Sequence, residues 1–407
     1  MQFSQTIRKT FTLYAAQIIN LFLGWVVAKF NVSYLSVTEY GQFSFFITAI
    51  NIGYVFFTFG IFESASRLVA LSKSEYDYRK LFGATISFSL ICYLIFSLLF
   101  WISHWFIDSF FQVPIANLIK FLFPLAGVYL INNMWQLLFR GVGKIKELSW
   151  YLILPRVVYI ISLIGLVVFG KFTLFGTTFF NLFSLAVIIL IFSFRARPVF
   201  FQLKESARQM MAEIRRFGVH VYWGEIIKVF LYHTDKVLIS FFMNAESLAY
   251  YSLAFTITFP LSFFSNALST AFYKKFSTSK KIESRVLLFN ILWVLVTVVL
   301  FILFRKWIVL RLFSAKYATS LTVFPVLAVA FGIGSLSKLY SFYLTAQGAG
   351  RAIRNISAAT LVFHVVLNLL LIPRYGIMGA ATTSLCTYIV DLLLSYYYYL
   401  RHRRTVE

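Results

Sequence analysis

The sequence predicts an all-α polytopic membrane protein, with about twelve transmembrane helices in two six-helix lobes and both termini cytoplasmic. Three observations carry this prediction. Of 407 residues, 60% are hydrophobic and 13% charged, and the mean hydropathy is +0.82. An ordinary soluble domain has roughly 45–50% apolar and about 25% charged residues. The apolar residues gather into runs of about 20, the length a helix needs to cross the hydrocarbon core. Lys and Arg lie between the runs, dense in one connection and sparse in the next. These facts exclude a soluble enzyme, a disordered chain and a small secreted disulfide scaffold.

The runs fall at 11–30, 42–62, 81–103, 119–139, 150–169, 173–194, 217–243, 248–271, 286–304, 321–346, 355–373 and 378–400. Helices are expected because an open sheet would leave backbone groups unpaired in lipid. Arg8 and Lys9 precede the first run, as in a signal sequence. Eleven more runs follow without a clear cleavage site, so the first is read as a retained helix. With the N-terminus inside, 25 of the 37 Lys and Arg residues fall on the cytoplasmic side, 6 on the other side and 6 within runs. That asymmetry sets the orientation. The connection with Arg305, Lys306, Arg311 and Lys316 goes against it, so boundaries between 286 and 320 are the least defined. A net charge of +23 in a soluble protein would suggest nucleic acid. Here the cations sit at run ends and suit anionic lipid, so no nucleic-acid partner is expected. Cys92 and Cys386 lie inside runs, without metal spacing, as packing residues.

Four segments are expected: an N-terminal lobe (1–194), an amphipathic cytoplasmic connector (195–216), a C-terminal lobe (217–400) and a basic tail (401–407). In the connector Phe200, Leu203, Ala207, Met210, Met211 and Ile214 follow helical spacing, which suits a helix lying on the membrane surface. The halves echo each other. Tyr40-Gly41-Gln42-Phe43-Ser44 parallels Leu248-Ala249-Tyr250-Tyr251-Ser252, Arg140-Gly141 parallels Gln347-Gly348, and Lys171-Phe172 parallels Arg374-Tyr375, at offsets of 208, 207 and 203. Six spans per half keep both halves in one orientation, so a pseudo-two-fold along the membrane normal is expected, with a substrate path between lobes.

Charges inside the membrane are costly and mark function by default. The run at 217–243 is richest, with Glu225, Lys228, His233, Asp235 and Lys236. At about 100° per residue, Glu225, Lys228, Tyr232, Asp235 and Lys236 share one face. That face lines a watery cavity or pairs with other helices; Glu225 and Lys228 form either a structural ion pair or part of a substrate or ion contact. Lys338 and Asp391 lie mid-run, and Arg156 follows Pro155. Lys29 and Lys120 suit snorkelling. His364 is mid-run and alone, which fits a hydrogen-bonded packing role. The surplus of cations favours an anionic substrate. No metal-ligand cluster, phosphate-cradling loop or nucleophile–base pair is present in the sequence, so neither catalysis nor a cofactor is expected.

The stretch Val366-Leu367-Asn368-Leu369-Leu370-Leu371-Ile372-Pro373-Arg374-Tyr375-Gly376-Ile377-Met378-Gly379-Ala380-Ala381 resembles the penultimate-helix signature of bacterial polysaccharide flippases. These belong to the multidrug/oligosaccharidyl-lipid/polysaccharide (MOP) exporter superfamily. Pro373 ends a helix, Gly376 permits a turn, and Gly379 lets the next helix approach. Asp235-Lys236-Val237-Leu238-Ile239-Ser240 followed by Tyr250-Tyr251, and Glu39-Tyr40-Gly41, are similar to two further landmarks in the same order. Ala249 stands where the family usually has Gly, so a looser approach is expected there.

The resemblance implies movement of a polyprenyl-pyrophosphate-linked oligosaccharide across the bacterial inner membrane by alternating access, for export of a surface polysaccharide of O-antigen or capsule type. Arg156, Lys228, Lys236 and Lys338 become candidates for contact with the substrate's anion. Glu225, Asp235 and Asp391 become candidates for charge compensation or ion coupling. Expected partners are the lipid-linked oligosaccharide and membrane lipids, with glycan polymerase and glycosyltransferases of the same pathway. The alternatives are a multidrug or ion antiporter of the same superfamily and a peptidoglycan-precursor lipid flippase. The antiporter fits less well, because the first six runs hold no Asp or Glu to bind an organic cation.

Overall fold

The computed structural model describes the backbone of residues 2–406 and their side chains, except those of residues 2–11, 13, 14, 220, 274 and 404–406. Four cations of the charge count, Arg8, Lys9, Lys274 and Arg404, thus have side chains outside the described residues. Every regular element among the described residues is helical. In order they are α1 (Gln2–Tyr34), α2 (Val37–Val55), α3 (Ile61–Leu71), α4 (Glu75–Ile102), α5 (Ile107–Phe110), α6 (Ala116–Ala126), α7 (Val128–Val142) and α8 (Ile145–Val168). There follow α9 (Leu174–Ala196), α10 (Leu203–Glu213), α11 (Val219–Phe242), α12 (Ala245–Thr258), α13 (Phe263–Phe276), α14 (Ser284–Lys306), α15 (Ser320–Ala346) and α16 (Gly350–Val406).

Each of the twelve apolar runs lies mostly on helix. Nine helical segments among the described residues are by themselves long and apolar enough to cross a membrane. The difference from twelve has physical causes. The run at 42–62 is broken at Phe59 and Gly60, both with positive φ. The run at 217–243 carries four Asp, Glu, Lys or Arg residues on α11. The last two runs share α16, which is not one straight helix: Gly376 has φ 58° and ψ −137°. His364 bonds Thr387, and Asn355 bonds Tyr398, so α16 is an antiparallel hairpin of two helical arms turning near residue 376. Outward rows such as Leu90, Leu94 and Leu98 on α4, and Leu292, Leu295, Val299 and Leu303 on α14, are exposed apolar surface of the kind lipid covers. The protein is a multi-pass membrane protein.

The chain forms two compact units: Met1–Leu35 with Phe45–Val229, and Ser36–Ser44 with Phe230–Glu407. The first unit has its core around Trp135 on α7, fully buried, edge-on to Phe82 of α4 and stacked on Phe139. Its indole nitrogen donates to Ser193 of α9 at 3.0 Å, which satisfies the one polar atom of a buried aromatic. The connector is fastened to this unit. Val199 N donates to the Arg79 carbonyl at 2.9 Å, and Arg79 Nε to the Arg197 carbonyl at 2.6 Å. Gly83 leaves room for the Val199 carbonyl, and Arg67 pairs with Glu213.

The expected amphipathic helix is α10, but protein covers part of its apolar face. Met210 is fully buried in the core against Thr85, while Phe200 and Met211 stay exposed. The hydrogen-bonded strap through Arg79 holds the helix against α3 and α4, which supplies burial that lipid would otherwise provide. Met210→Ala is therefore expected to cost about 2–5 kcal/mol. An unchanged unfolding midpoint of the purified variant would place that face in lipid instead.

In the second unit α15 is central, against α12, α13, α14 and α16. Gly332 and Gly334 let it approach Val298 and Tyr388 closely, at 2.6 and 2.7 Å from where a Cβ would stand. The segment 36–44 belongs here: a Cβ on Gly41 would overlap the Ala245 carbonyl at the start of α12. Tyr40 and Tyr250 both meet the buried Tyr317 edge-on, with ring centroids 5.7 and 6.0 Å away. Ala249 is fully buried, so the methyl group that replaces the family's usual hydrogen is packed rather than loose.

Candidate functional site

Asp235 of α11 is the most heavily engaged charge in the second unit. Its Oδ2 accepts from the Tyr251 hydroxyl of α12 and from Ser384 Oγ at 2.7 Å. Its Oδ1 accepts from Asn368 Nδ2 at 2.6 Å and faces His364 Nε2 at 2.9 Å. On the other side of the ring, His364 Nδ1 meets Thr387 Oγ1 at 3.0 Å. All six side chains are buried, with Asp235 3% exposed and Asn368 0%.

The local sequence explains this convergence. His364 and Asn368 are four apart, and therefore on one face of the first arm of α16. Ser384 and Thr387 are three apart on the second arm. The turn at Pro373–Gly379 sets the arms face to face; a Cβ on Gly379 would overlap the Leu371 carbonyl, so the reversal closes against its own backbone. A carboxylate this far from water is tolerable only with its lone pairs filled, and the imidazole is one of the four groups gathered around it.

Lys236, the next residue, has its ammonium 5.0 Å from the centre of the Phe255 ring, a cation–π contact. Lys338 lies half-buried on α15, within electrostatic reach of Asp391. Asp391 accepts from Ser337 Oγ at 2.5 Å, and one turn further Ser341 bonds Ser395 at 3.2 Å. This is a polar seam between α15 and the second arm of α16.

In the first unit Lys228 and Glu225 are 3.3 Å apart, with side chains 61% and 36% exposed. So open a pair contributes little stability, and an ammonium open to that degree needs water beside it. Arg156 lies elsewhere in that unit. Its Nη1 donates to the Asn20 carbonyl of α1, beside a cavity of about 230 Å³.

The structure thus joins Asp235 with Asn368 and Lys228 with Glu225, brings Lys338 within electrostatic reach of Asp391, and sets Arg156 apart. Lys228 belongs to the first unit, and Lys236 and Lys338 to the second. Sequence reasoning missed Tyr251, Ser384 and Thr387 as partners of Asp235. It took His364 as a lone, hydrogen-bonded packing histidine; the buried ring is hydrogen-bonded on both nitrogens, and what the sequence did not show is that it faces the Asp235 carboxylate. The available signal was the spacing of His364 and Asn368, followed by a Pro–Gly turn that brings a second polar face back.

Residues 6–273 match the family described as polysaccharide biosynthesis protein. The putative O-antigen transporter of Shigella flexneri is 22% identical over 371 residues, 86% of this chain and 87% of that protein. The uncharacterized membrane protein MJ1068 of Methanocaldococcus jannaschii is 25% identical over 254 residues, 57% of this chain; the match spans about half of that protein, 49%. Among solved structures, the lipid II flippase MurJ in an inward closed conformation superposes with a TM-score of 0.74 at 14% identity, covering 95% of this chain and 87% of that one. An inward-facing multidrug resistance MATE family transporter of the MOP superfamily also gives 0.74, at 16% identity, covering 95% and 96%. With an all-helical, membrane-spanning fold of the MOP type and a family match over most of its length, the chain belongs to the polysaccharide biosynthesis protein family.

Proposed function

We propose that this MOP-type flippase moves a polyprenyl-pyrophosphate-linked oligosaccharide across the cell (inner) membrane for export of a surface polysaccharide. The two halves work by alternating access. The observation that carries the reading is Lys228: a 61% exposed cation on a helix read as membrane-spanning. Such a group belongs on a water-filled path and attracts a phosphorylated head group. Lys236 and Lys338 add two more cations without a described salt bridge. The name of the Shigella relative, an O-antigen transporter, agrees in substrate class. Asp235 with His364 is the candidate for ion coupling, and Glu225 and Asp391 for charge compensation. Polymerase and glycosyltransferases of the same pathway are the natural partners.

The test is the triple variant Lys228→Gln, Lys236→Gln, Lys338→Gln in a strain lacking the chromosomal copy. Surface polysaccharide is expected to fall at least tenfold at matched protein level. Normal export would remove the cationic path from the mechanism. A lipid II flippase shares this fold, so rescue of cells depleted of their own lipid II flippase would redirect the substrate assignment.

A further inference from the structure

We propose that the Arg156 cavity of the first unit binds a small, singly charged anion of halide to acetate size. The inference is independent of which molecule the protein carries, and failure of either leaves the other standing.

The argument starts at Gly24 of α1. A Cβ there would meet the Arg156 guanidinium, with Cζ only 3.1 Å away, so glycine is what admits the cation against the helix backbone. Among the described residues Arg156 makes one hydrogen bond, to the Asn20 carbonyl, and no ion pair. No Asp or Glu lines the cavity. Nor do the first six predicted runs contain one. A half-buried guanidinium draws a counter-charge, and the polar side chains around this one are all neutral.

The cavity wall carries several groups able to donate, beside one unpartnered acceptor, Asn20 Oδ1. Tyr151, 1% exposed, lines it with a hydroxyl that has no hydrogen-bond partner among the described residues. Asn132 and Gln136, four apart on α7, line it with their amides. Asn181 accepts from Tyr129 through Oδ1 at 3.0 Å, which leaves its NH2 to donate. Donors converging around one cation describe an anion site. Its size sets the class: about 230 Å³ is below the roughly 300–1,000 Å³ of sites for larger ligands. An oligosaccharide head does not fit; a halide or a short carboxylate, which the Arg fork grips through two N–H groups, does.

The experiment uses full-length protein in detergent at constant ionic strength. Thermal unfolding is followed while lactobionate, an anion bulkier than the cavity, is exchanged for bromide in one arm and acetate in another. A saturable rise of the midpoint is expected in at least one arm, and the arm identifies halide or carboxylate. In Arg156→Gln the apparent affinity should fall at least tenfold, with Arg156→Lys in between and Arg208→Gln unchanged. Because Arg156→Gln can fail to fold, the wild type supplies a second readout: an anomalous bromide peak beside the Arg156 guanidinium in crystals. No midpoint rise in either arm, an Arg156→Gln response equal to wild type, or bromide peaks only at the surface would overturn the proposal.

Discussion

Asp235→Ala is expected to be the most damaging single substitution in the second unit, at about 3–5 kcal/mol. The change removes the acceptor for Tyr251, Ser384, Asn368 and His364 together. Four buried groups then lose their carboxylate partner and keep only the contacts among themselves and with Thr387, and each lost bond is costly in a site that water does not reach. Asp235→Asn separates structure from transport. The amide keeps the volume and one acceptor, so most of the folded protein should survive. It cannot carry the carboxylate's charge or exchange a proton with His364, so export should still fall at least tenfold. The two readouts are the unfolding midpoint of purified protein and surface polysaccharide in a complemented strain. A wild-type midpoint for Asp235→Ala would show that the network does not hold the helices together. Full export by Asp235→Asn would take ion coupling away from this residue.

Gly376→Ala is the second large effect. The backbone there, φ 58° and ψ −137°, is a region that side-chain-bearing residues avoid, at a cost of about 1–3 kcal/mol. A Cβ would also stand 2.8 Å from Met243 Cε, and such overpacking adds about 1–3 kcal/mol. The strain would appear as a splayed hairpin, with Ser384 and Thr387 pulled from Asp235 and His364. The double variant Gly376→Ala, Met243→Ala apportions the loss. Shortening Met243 should recover the packing part and leave the backbone part. Complete recovery would mean that the turn is not strained, and no loss in the single variant would mean that the arms do not depend on it.

Much of the fold was legible because lipid is a simple solvent. It demands apolar runs of fixed length and cations between them, and both features are visible in one dimension. The site was half legible. Asp235, Lys236 and Lys338 stand out because charge inside an apolar run is rare. Tyr251, Ser384 and Thr387 do not, because hydroxyls are common in spans and usually bond to their own helix, as Thr85 does with Leu81. Only the hairpin at Gly376 distinguishes the ones that bond to a carboxylate. The break at Phe59–Gly60 was invisible for the opposite reason: the run holds no charge, and the left-handed pair falls among aromatic and aliphatic residues without a change of composition. Arg156 was legible as a charge, but Gly24, which makes room for it, is one small residue among many.

The strap at residues 197–213 has a practical consequence. The longest polar connection is where one would ordinarily cut the chain or splice in a reporter. Arg79, Gly83 and Glu213 pin it to neighbouring helices, and Met210 is sunk in the core. A fluorescent protein inserted after Phe200 would have to tear these contacts, and trypsin should spare Arg197 and Arg208 in folded protein despite their polar surroundings.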